Sequence, residues 1–392
     1  MKAACDPVSD MEWEPYARQL ADQVAHPVSR WRPIIAAVPR HRFVPHWWAW
    51  RYRQNIEPEF ELATPQDRQA WLTNVYDDRS LITQVGPHHA DHASPGEVRV
   101  GHPTSSATLP SLLVQMFRHA FISDGMNVLD VGTGSGYGTA LLATCLGDGR
   151  VTSIDVDPYL TQAARDRLAE LGLHPHLITA DATGTVLGTY DRIIATVSVR
   201  PVPRTWLEVL RPGGRLVTTI AETALILTAD MNDDGTASGR IEWDRAGFMH
   251  TRSGPAYKGV SPDMWARARE DKGEDITSGR YPLVNVPESW DLWSTLGVLH
   301  PGIEHHYEED ERTNTRTAYM VHQDGSWARA TSRGGTNPVV HQGGPRRLWD
   351  LLDGLREMWL REGSLPVYGA KADIAKDGTI RLRRGRWEAT LT

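Results

Sequence analysis

A glycine-rich segment near the middle of the chain constrains the fold more than any other part of the sequence. Residues 127–143 read NVLDVGTGSGYGTALLA, in which a short apolar run ends at Asp130 and glycines then occupy every second position from Gly132. This pattern predicts a strand that turns directly into a helix, because such a turn needs residues that tolerate positive φ. The turn also brings backbone close to the carboxyl end of the strand, where open α/β sheets bind their ligands.

The spacing of the glycines indicates which ligand the turn accepts. Dinucleotide loops have the pattern G-x-G-x-x-G, but Tyr137 stands here in the place of the third glycine. The run D-x-G-x-G-x-G instead resembles the S-adenosylmethionine (SAM) loop of class I methyltransferases. Residues 151–154 predict a second strand ending at Asp155, about 20 residues further on, where a carboxylate can accept both ribose hydroxyls. The alternative is a glycine-rich turn without a ligand, and Asp155 argues against it.

Length, charge and cysteine content narrow the class of protein. A chain of 392 residues is expected to form two domains. Its net charge of −7 gives no general attraction to nucleic acid, and no apolar stretch is long enough to cross a membrane. The two cysteines, Cys5 and Cys145, are far apart, and residues 1–10 lack an apolar signal-peptide core. We therefore expect a monomeric cytoplasmic protein with neither nucleic-acid nor membrane partners.

The order of the predicted elements divides the chain into three parts. Residues 1–100 predict an N-terminal helical segment that also forms a substrate rim. Residues 101–222 alternate strands and helices, which is typical of a Rossmann-like α/β core. Residues 223–392 predict an additional α+β C-terminal domain. Helices are expected at 12–24 and 346–361, an extended segment at 38–45, a tight turn at 211–215, and mainly irregular chain at 57–78, 86–101, 254–287 and 304–312.

Two further features of the composition have competing interpretations. His88, His89, Asp91 and His92 are possible metal ligands, but their spacing fits no standard site, so we expect a solvent-exposed loop and no metal. The 15 tryptophans hint at an aromatic surface for a peptide or a partner, although core packing is the usual role of tryptophan.

An ordered set of motifs resembles the protein L-isoaspartate O-methyltransferase family. The matching segments are VPRHRFVP (38–45), PTSSATL (103–109), VLDVGTGSGYGTALLA (128–143), YDRIIATVSVRPVP (190–203) and LRPGGRLV (210–217). The resemblance implies a class I SAM-dependent fold, SAM as methyl donor and S-adenosylhomocysteine as product. It places the substrate carboxylate beside Thr104 and Ser106. The cofactor residues that it implies are Asp130, Gly132, Thr133, Gly134, Ser135, Gly136, Tyr137, Asp155, Val156, Asp181, Ala182 and Thr196.

The chain also departs from the usual pattern of that family. The strand-four segment, usually T-A-A-A-P, is here Thr196-Val-Ser-Val-Arg200 followed by Pro201, and Pro103 replaces a glutamine. The chain also continues far beyond the core. As a whole it resembles the homologues that accompany the biosynthesis of ribosomal peptides such as graspetides and lanthipeptides.

That resemblance implies that the partner is a cyclised precursor peptide. An aspartate in this peptide would be methylated and would then collapse to an aspartimide, and the C-terminal region would recognise the peptide. The first alternative is isoaspartyl repair of aged proteins. The second, from a different class, is a SAM-binding scaffold that has lost activity.

Overall fold

The computed structural model describes residues 12–51, 58–251 and 259–392, which form two compact units. The first unit contains the described residues up to Arg51, Pro58–Ala182 and Arg192–Ile194. The second contains Thr183–Asp191 and the described residues from Ala195 onward. Cys5 and the predicted features of residues 1–10 lie outside the described ranges. Within those ranges, no helix has the length and apolar character needed to span a lipid bilayer.

The first unit begins with helices and then forms an antiparallel sheet. The helices are α1 (Glu14–Val24), α2 (Trp31–Ala37), α3 (Arg40–Phe43) and α4 (Arg68–Val75). The strands are β1 (Trp48–Arg51), β2 (Glu59–Leu62), β3 (Leu81–Val85), β4 (His88–His89), β5 (Val98–Val100) and β6 (Pro103–Ala107). They are ordered β4-β3-β1-β2-β5, and β6 also pairs with β3. The predicted helix at 12–24 is confirmed by α1, which buries Ala17, Leu20 and Ala21.

Several local predictions for this unit are wrong. The segment 38–45 is not extended throughout, because Arg40–Phe43 form a helical turn after Pro39, and proline is well tolerated at a helix start. The segment 57–78 is not irregular, since it contains β2 and α4, and α4 is capped by Asp67, whose carboxylate accepts from the Ala70 amide at 2.8 Å. Strands β4 and β5 lie in the predicted loop at 86–101.

The remainder of the first unit is a parallel α/β layer. Its elements are α5 (Pro110–His119), β7 (Val128–Val131), α6 (Tyr137–Leu146), β8 (Val151–Asp155), α7 (Pro158–Ala169) and β9 (His176–Thr179). Strands β7 and β8 pair in parallel, as do β8 and β9. All four residues of β7 are buried, which explains their apolar character apart from Asp130. The predicted strand, glycine loop and helix at 127–143 are therefore confirmed.

The second unit contains two sheets. Its first elements are β10 (Tyr190–Val199), which also contributes Arg192–Ile194 to the first unit, α8 (Arg204–Val209), β11 (Leu210–Ile220), β12 (Leu225–Met231) and β13 (Ala237–Arg245). The middle elements are α9 (Pro262–Glu270), β14 (Asp275–Ser278), α10 (Trp290–Leu299), β15 (Glu304–Asp310), β16 (Thr315–Val321), β17 (Trp327–Arg333) and β18 (Val339–Gly343). The last are α11 (Leu348–Glu362), β19 (Lys371–Ile374), β20 (Ile380–Arg384) and β21 (Trp387–Leu391).

The strands of this unit follow two continuous orders. One sheet runs β21-β20-β19-β13-β12-β11-β10, and a five-stranded antiparallel sheet runs β14-β18-β17-β16-β15. Helix α11 confirms the helix predicted at 346–361. The tight turn predicted at 211–215 falls within the bounds of β11, where Gly213 has the positive φ of 72° that a turn requires. Strand β15 replaces the predicted loop at 304–312, and α9 and β14 lie within 254–287, of which 252–258 fall outside the described residues.

Candidate cofactor and methyl-acceptor site

The glycine loop between β7 and α6 has the backbone that its sequence predicts. Gly132, Gly134 and Gly136 have φ angles of 94°, 51° and 90°, which side chains other than glycine rarely adopt. A Cβ atom on Gly136 would lie 2.9 Å from the Cβ of Ala164 in α7. The third glycine is therefore required by packing as well as by φ, and the loop backbone closely approaches α7.

Asp130 anchors the loop from within the core. Its carboxylate accepts hydrogen bonds from the hydroxyls of Thr139 at 2.7 Å and Ser153 at 2.9 Å. The Thr133 hydroxyl lies 2.6 Å from the Ser153 hydroxyl and extends this network to the loop. Burial raises the pKa of Asp130 to about 6. These contacts support the view that Asp130 orients the loop. Ser135 and Tyr137, which follow in the loop and at the start of α6, are also buried.

Asp155 lies at the carboxyl end of β8, beside the loop. One of its oxygens accepts from the Gly134 amide at 2.8 Å, and the other accepts from the Asp157 amide at 3.0 Å. The carboxylate is partly exposed, as is Val156. The Ala180 amide donates to the Asp155 carbonyl at 2.9 Å, which brings the start of the segment with Asp181 and Ala182 to the same edge. The structure thus collects the predicted cofactor residues of the first unit at the ends of β7, β8 and β9.

Strand β6 carries the predicted acceptor residues alongside this edge. The Thr104 hydroxyl is buried and donates to the Gly86 carbonyl at 2.6 Å. A Cβ atom on Gly134 would lie 3.5 Å from the Ser106 carbonyl oxygen and 3.7 Å from the Ser105 hydroxyl. The Ser106 hydroxyl is partly exposed and has no hydrogen bond to another residue in the described part of the chain.

Ser105 is a residue of this site that the sequence did not indicate. Its hydroxyl accepts from the Thr83 hydroxyl at 3.1 Å and lies against the glycine loop. Thr104, in contrast, has its hydroxyl engaged with the carbonyl of Gly86. Successive side chains of a strand point to opposite faces, which distinguishes Ser105 from Thr104 and Ser106. This criterion applies only once β6 is known to be a strand.

The VPRHRFVP segment supports the site through a fully buried arginine. The Arg40 guanidinium lies 5.7 Å from the centre of the Tyr137 ring in the loop, and burial lowers its pKa. It donates to four backbone carbonyls, those of Val75 (2.7 Å), Asp77 (2.7 Å), Arg79 (2.8 Å) and Thr108 (3.4 Å). Arg40 therefore joins the end of the β6 segment to the turn after α4, directly beside the glycine loop.

The histidine-rich segment packs against α7 and is not the solvent-exposed loop that was predicted. His89 and His92 lie 4.3 Å and 4.4 Å from the Tyr159 ring, and the Tyr159 hydroxyl donates to Asp91 at 2.9 Å. His88 and His92 are exposed, but His89 and Asp91 are partly buried. In residues 12–51, 58–251 and 259–392, no group of three or more potential ligands is placed to hold a metal.

Asp157 connects this segment to the start of α7. Although burial raises its pKa, hydrogen bonds from His89 and Gln84 outweigh that effect and lower the pKa to about 2. One carboxylate oxygen caps α7 by accepting from the amides of Tyr159 at 2.9 Å and Leu160 at 3.3 Å. The helix that follows Asp155 is thus held by a carboxylate that stays ionised at neutral pH.

Thr196, the last of the predicted cofactor residues, lies in the second unit. It is partly exposed on β10, in the segment that departs from the family pattern. Ser198 follows on the same strand, and its buried hydroxyl has no partner among the described residues. Arg200 donates to the carbonyls of Gly297 at 2.7 Å and Val298 at 3.0 Å, at the end of α10. Ser198 and Arg200, which differ from the family pattern, therefore pack within the second unit.

Comparisons with known proteins agree with this geometry. Residues 72–244 match the family model described as Protein-L-isoaspartate(D-aspartate) O-methyltransferase (PCMT). The chain is 34% identical over 133 residues to the Protein-L-isoaspartate O-methyltransferase of Pyrococcus horikoshii, which covers 32% of this chain and 60% of the relative. It is 24% identical over 260 residues to Protein-L-isoaspartate O-methyltransferase 2 of Archaeoglobus fulgidus, covering 64% of this chain and 100% of that relative.

A solved structure with the same description is also similar. This structure, of a protein L-isoaspartate O-methyltransferase, aligns with 97% of this chain and 99% of the solved chain. The sequence identity is 17% and the TM-score is 0.47. The chain is thus similar to protein-L-isoaspartate O-methyltransferases over the part that carries the glycine loop and its neighbouring strands. The parallel strands β7, β8 and β9 and the glycine loop give the chain the class I SAM-dependent methyltransferase fold.

Proposed function

We propose that this protein transfers the methyl group of SAM to the free α-carboxylate of an isoaspartyl residue in a protein or peptide. The observation that carries the proposal is the position of β6, whose Ser105 hydroxyl and Ser106 backbone carbonyl lie against Gly134 of the glycine loop. The names of the curated relatives point to the same substrate. The cofactor supplies an electrophilic methyl group, and the residues of the chain supply position.

The cofactor fits the loop and the strand ends. The glycines at positive φ allow a ligand to approach the backbone closely, and in this proposal the partly exposed Asp155 carboxylate accepts from the ribose hydroxyls. Asp181, which follows the neighbouring strand β9, is proposed to accept from the adenine amine. Asp130 is buried and already bonded to two hydroxyls, so its role is to hold the loop.

The acceptor needs alignment more than it needs a base. A carboxylic acid with a pKa of about 3.9 is ionised at neutral pH, so the attacking oxygen is already an anion. The site must exclude water and bring oxygen, methyl carbon and sulfur into line, with about 3–3.5 Å between the reacting atoms. The Ser106 hydroxyl can donate to the oxygen that does not attack, which directs the other oxygen at the methyl group.

Esterification prepares the substrate for a second step without the enzyme. The ester carbonyl has lost its negative charge, and the backbone nitrogen of the following residue can attack it. A C–N bond then forms, the C–O bond to the methoxy group breaks, and the amide proton leaves with it as methanol. The product is a five-membered succinimide, which water opens to an aspartyl or an isoaspartyl residue.

A second candidate substrate is an ordinary aspartate in a cyclised precursor peptide. Two features favour it: the Val197–Arg200 departure on β10 and the two-sheet second unit, which continues far beyond the glycine loop. In this form of the proposal the C-terminal region recognises the constrained peptide, and the methyl ester collapses to an aspartimide.

Mass spectrometry of parallel incubations with SAM tests both forms. One incubation contains an isoaspartyl peptide, one its aspartyl counterpart, and one the cyclised product of a neighbouring precursor gene. A gain of one methyl group on the isoaspartyl peptide, followed by loss of methanol, is the expected result. Modification of the cyclised peptide alone would replace the first form by the second. No S-adenosylhomocysteine from any carboxylate peptide would overturn the proposal in favour of a binding protein.

A further inference from the structure

The hairpin formed by β3 and β4 has a register that its turn fixes. Gly86 and Pro87 connect the two strands, and Gly86 has a φ of 52°, the positive value that a two-residue hairpin turn needs at its first position. Gln84 pairs with His89 across the hairpin. Because paired residues of antiparallel strands point to the same face, these two side chains lie side by side, with their Nε2 atoms 3.3 Å apart.

Both side chains reach one oxygen of the same carboxylate. Gln84 Nε2 donates to Oδ2 of Asp157 at 3.0 Å, and His89 Nε2 lies 3.4 Å from the same atom. Gln84 is 2% exposed, and the side chains of His89 and Asp157 are each 11% exposed. Water therefore competes little for these contacts, and hydrogen bonds to a charged acceptor are among the stronger ones in proteins.

The other polar groups of Asp157 face α7 and the glycine loop. Its Oδ1 accepts from the amides of Tyr159 and Leu160 and so caps α7. Its amide donates to Oδ1 of Asp155 at 3.0 Å, while Oδ2 of Asp155 accepts from the amide of Gly134 at 2.8 Å. Asp157 therefore connects the hairpin to the carboxylate that is proposed to bind the ribose.

The hairpin is supported from its other side by β6. Gln84 also pairs with Ser105, whose hydroxyl accepts from that of Thr83 at 3.1 Å. The Thr104 hydroxyl donates to the carbonyl of Gly86 in the hairpin turn at 2.6 Å. These contacts fix the hairpin, so that Gln84 is presented to the start of α7 in one orientation.

We propose that Gln84 and His89 are positioning residues for the cofactor. They hold Asp157 in the orientation in which its amide directs the Asp155 carboxylate at the ribose. The inference rests on the proposed function, because it needs the cofactor to bind at Asp155. It gives the histidine-rich hairpin a part in cofactor affinity, although neither side chain contacts the cofactor itself.

Calorimetric titration of the full chain with S-adenosylhomocysteine tests the inference. Gln84→Met keeps the length of the side chain and removes the donor. We expect it to raise the dissociation constant about tenfold, the usual effect of losing a hydrogen bond to a charged group. The number of binding sites per chain should stay at the wild-type value. A merely structural role would have the opposite signature, with fewer sites and an unchanged dissociation constant.

His89→Phe is the second variant, because phenylalanine keeps a ring against Tyr159, 4.3 Å away, but cannot donate to Asp157. It should weaken binding in the same direction, and by less than Gln84→Met because the contact of His89 is longer. Gln66→Met, at an exposed glutamine of the same unit, is the matched control and should bind as the wild type does.

Asp157→Asn separates positioning from helix capping. Asparagine is as good an N-cap as aspartate, but its amide group would face the donors of Gln84 and His89. We expect weaker binding in this variant although α7 stays capped. A double-mutant cycle of Gln84→Met with Asp155→Asn should be non-additive, because the first substitution acts through Asp155.

The possible failures have different meanings. An unchanged dissociation constant in Gln84→Met and His89→Phe, wild-type binding by Asp157→Asn, or additive effects in the cycle would overturn the inference while the proposed function stands. No binding of S-adenosylhomocysteine by the wild type would overturn the proposed function and the inference with it.

Discussion

The hydroxyl of Ser106 is partly exposed and is not used by any other described residue, which leaves it available to a substrate oxygen. We expect Ser106→Ala to lower kcat by about tenfold, the usual effect of losing one hydrogen bond to a charged group. SAM affinity should not change, because the hydroxyl is not bonded to the glycine loop.

The measurement is steady-state turnover of an isoaspartyl peptide together with calorimetric SAM binding. Ser94→Ala, at an exposed serine of the same unit, is the control. An unchanged kcat in Ser106→Ala would remove this residue from the acceptor site.

His41 gives the stability of the first unit a defined pH dependence. Burial lowers its pKa to about 4, and its Nδ1 lies 2.7 Å from the Tyr76 hydroxyl. Between the folded pKa and the ordinary value of about 6.5, the unfolded chain binds the proton and the folded chain does not. Stability should therefore rise with pH through this window, by about 2 kcal/mol after allowance for solvent screening.

Thermal unfolding at pH 5 and pH 7 measures this effect. His41→Gln keeps an acceptor for Tyr76 but cannot titrate, so the difference between the two pH values should shrink in this variant. A difference of the same size in wild type and variant would assign the pH dependence to other groups.

At the scale of elements, the turn from β7 to α6 depends on Gly136 in two ways. Its φ of 90° and the nearby Ala164 both oppose a side chain. We expect Gly136→Ala to destabilise the protein by about 2–4 kcal/mol and to weaken SAM binding at least tenfold.

Gly138→Ala is the comparison, because a Cβ there meets only Leu113 Cδ2 at an ordinary 3.5 Å and α6 gains a better helix former. Melting temperature and SAM affinity measure both variants. Equal losses in the two would show that the turn geometry is not what limits binding.

Elements with a strong local signal were predicted correctly from the sequence. The glycine loop and α11 have patterns that only one local structure satisfies. Strand β15 was missed because its residues are mostly charged, and its place at the edge of the sheet depends on pairing with β16 and contact with α9. The helical turn at Arg40 was missed because the carbonyls that receive its hydrogen bonds have no signature in the sequence.

The same distinction holds within the site. Asp130, Asp155 and the glycines follow from one continuous motif and its spacing. The difference between Ser105 and Thr104 does not, because the pairing of β3 with β6 shifts register between Ile82 and Gln84. A shift of one residue exchanges the faces of a strand, so the sequence alone could not show which hydroxyl meets Gly134.

At the scale of the whole molecule, the chain does not lend itself to division after residue 222. Strand β11 pairs with β12 over five residues, and β12 continues to β13 and β19. Leu216–Ile220 are all buried. A fragment that ends at Thr223 would expose this strand as an unpaired apolar edge, which promotes aggregation.

We therefore expect the fragment 1–223 to be insoluble or aggregated, whereas the full chain is not. Size-exclusion chromatography and circular dichroism would show this directly. A monodisperse, folded fragment that binds SAM would contradict the expectation. It would also make residues 223–392 an independent region, as the three-part division of the sequence predicts.

The hydrogen bonds of Arg40 determine which positions of this segment can be substituted. Among the described residues, its guanidinium donates hydrogen bonds to backbone carbonyls, which every amino acid provides. Residues 75, 77, 79 and 108 can therefore change identity without loss of these bonds, as long as the backbone keeps its path. The arginine has no such freedom, because no other side chain offers five donors in one plane. Position 40 therefore requires arginine, whereas the residues of the turn after α4 can be substituted without loss of these hydrogen bonds.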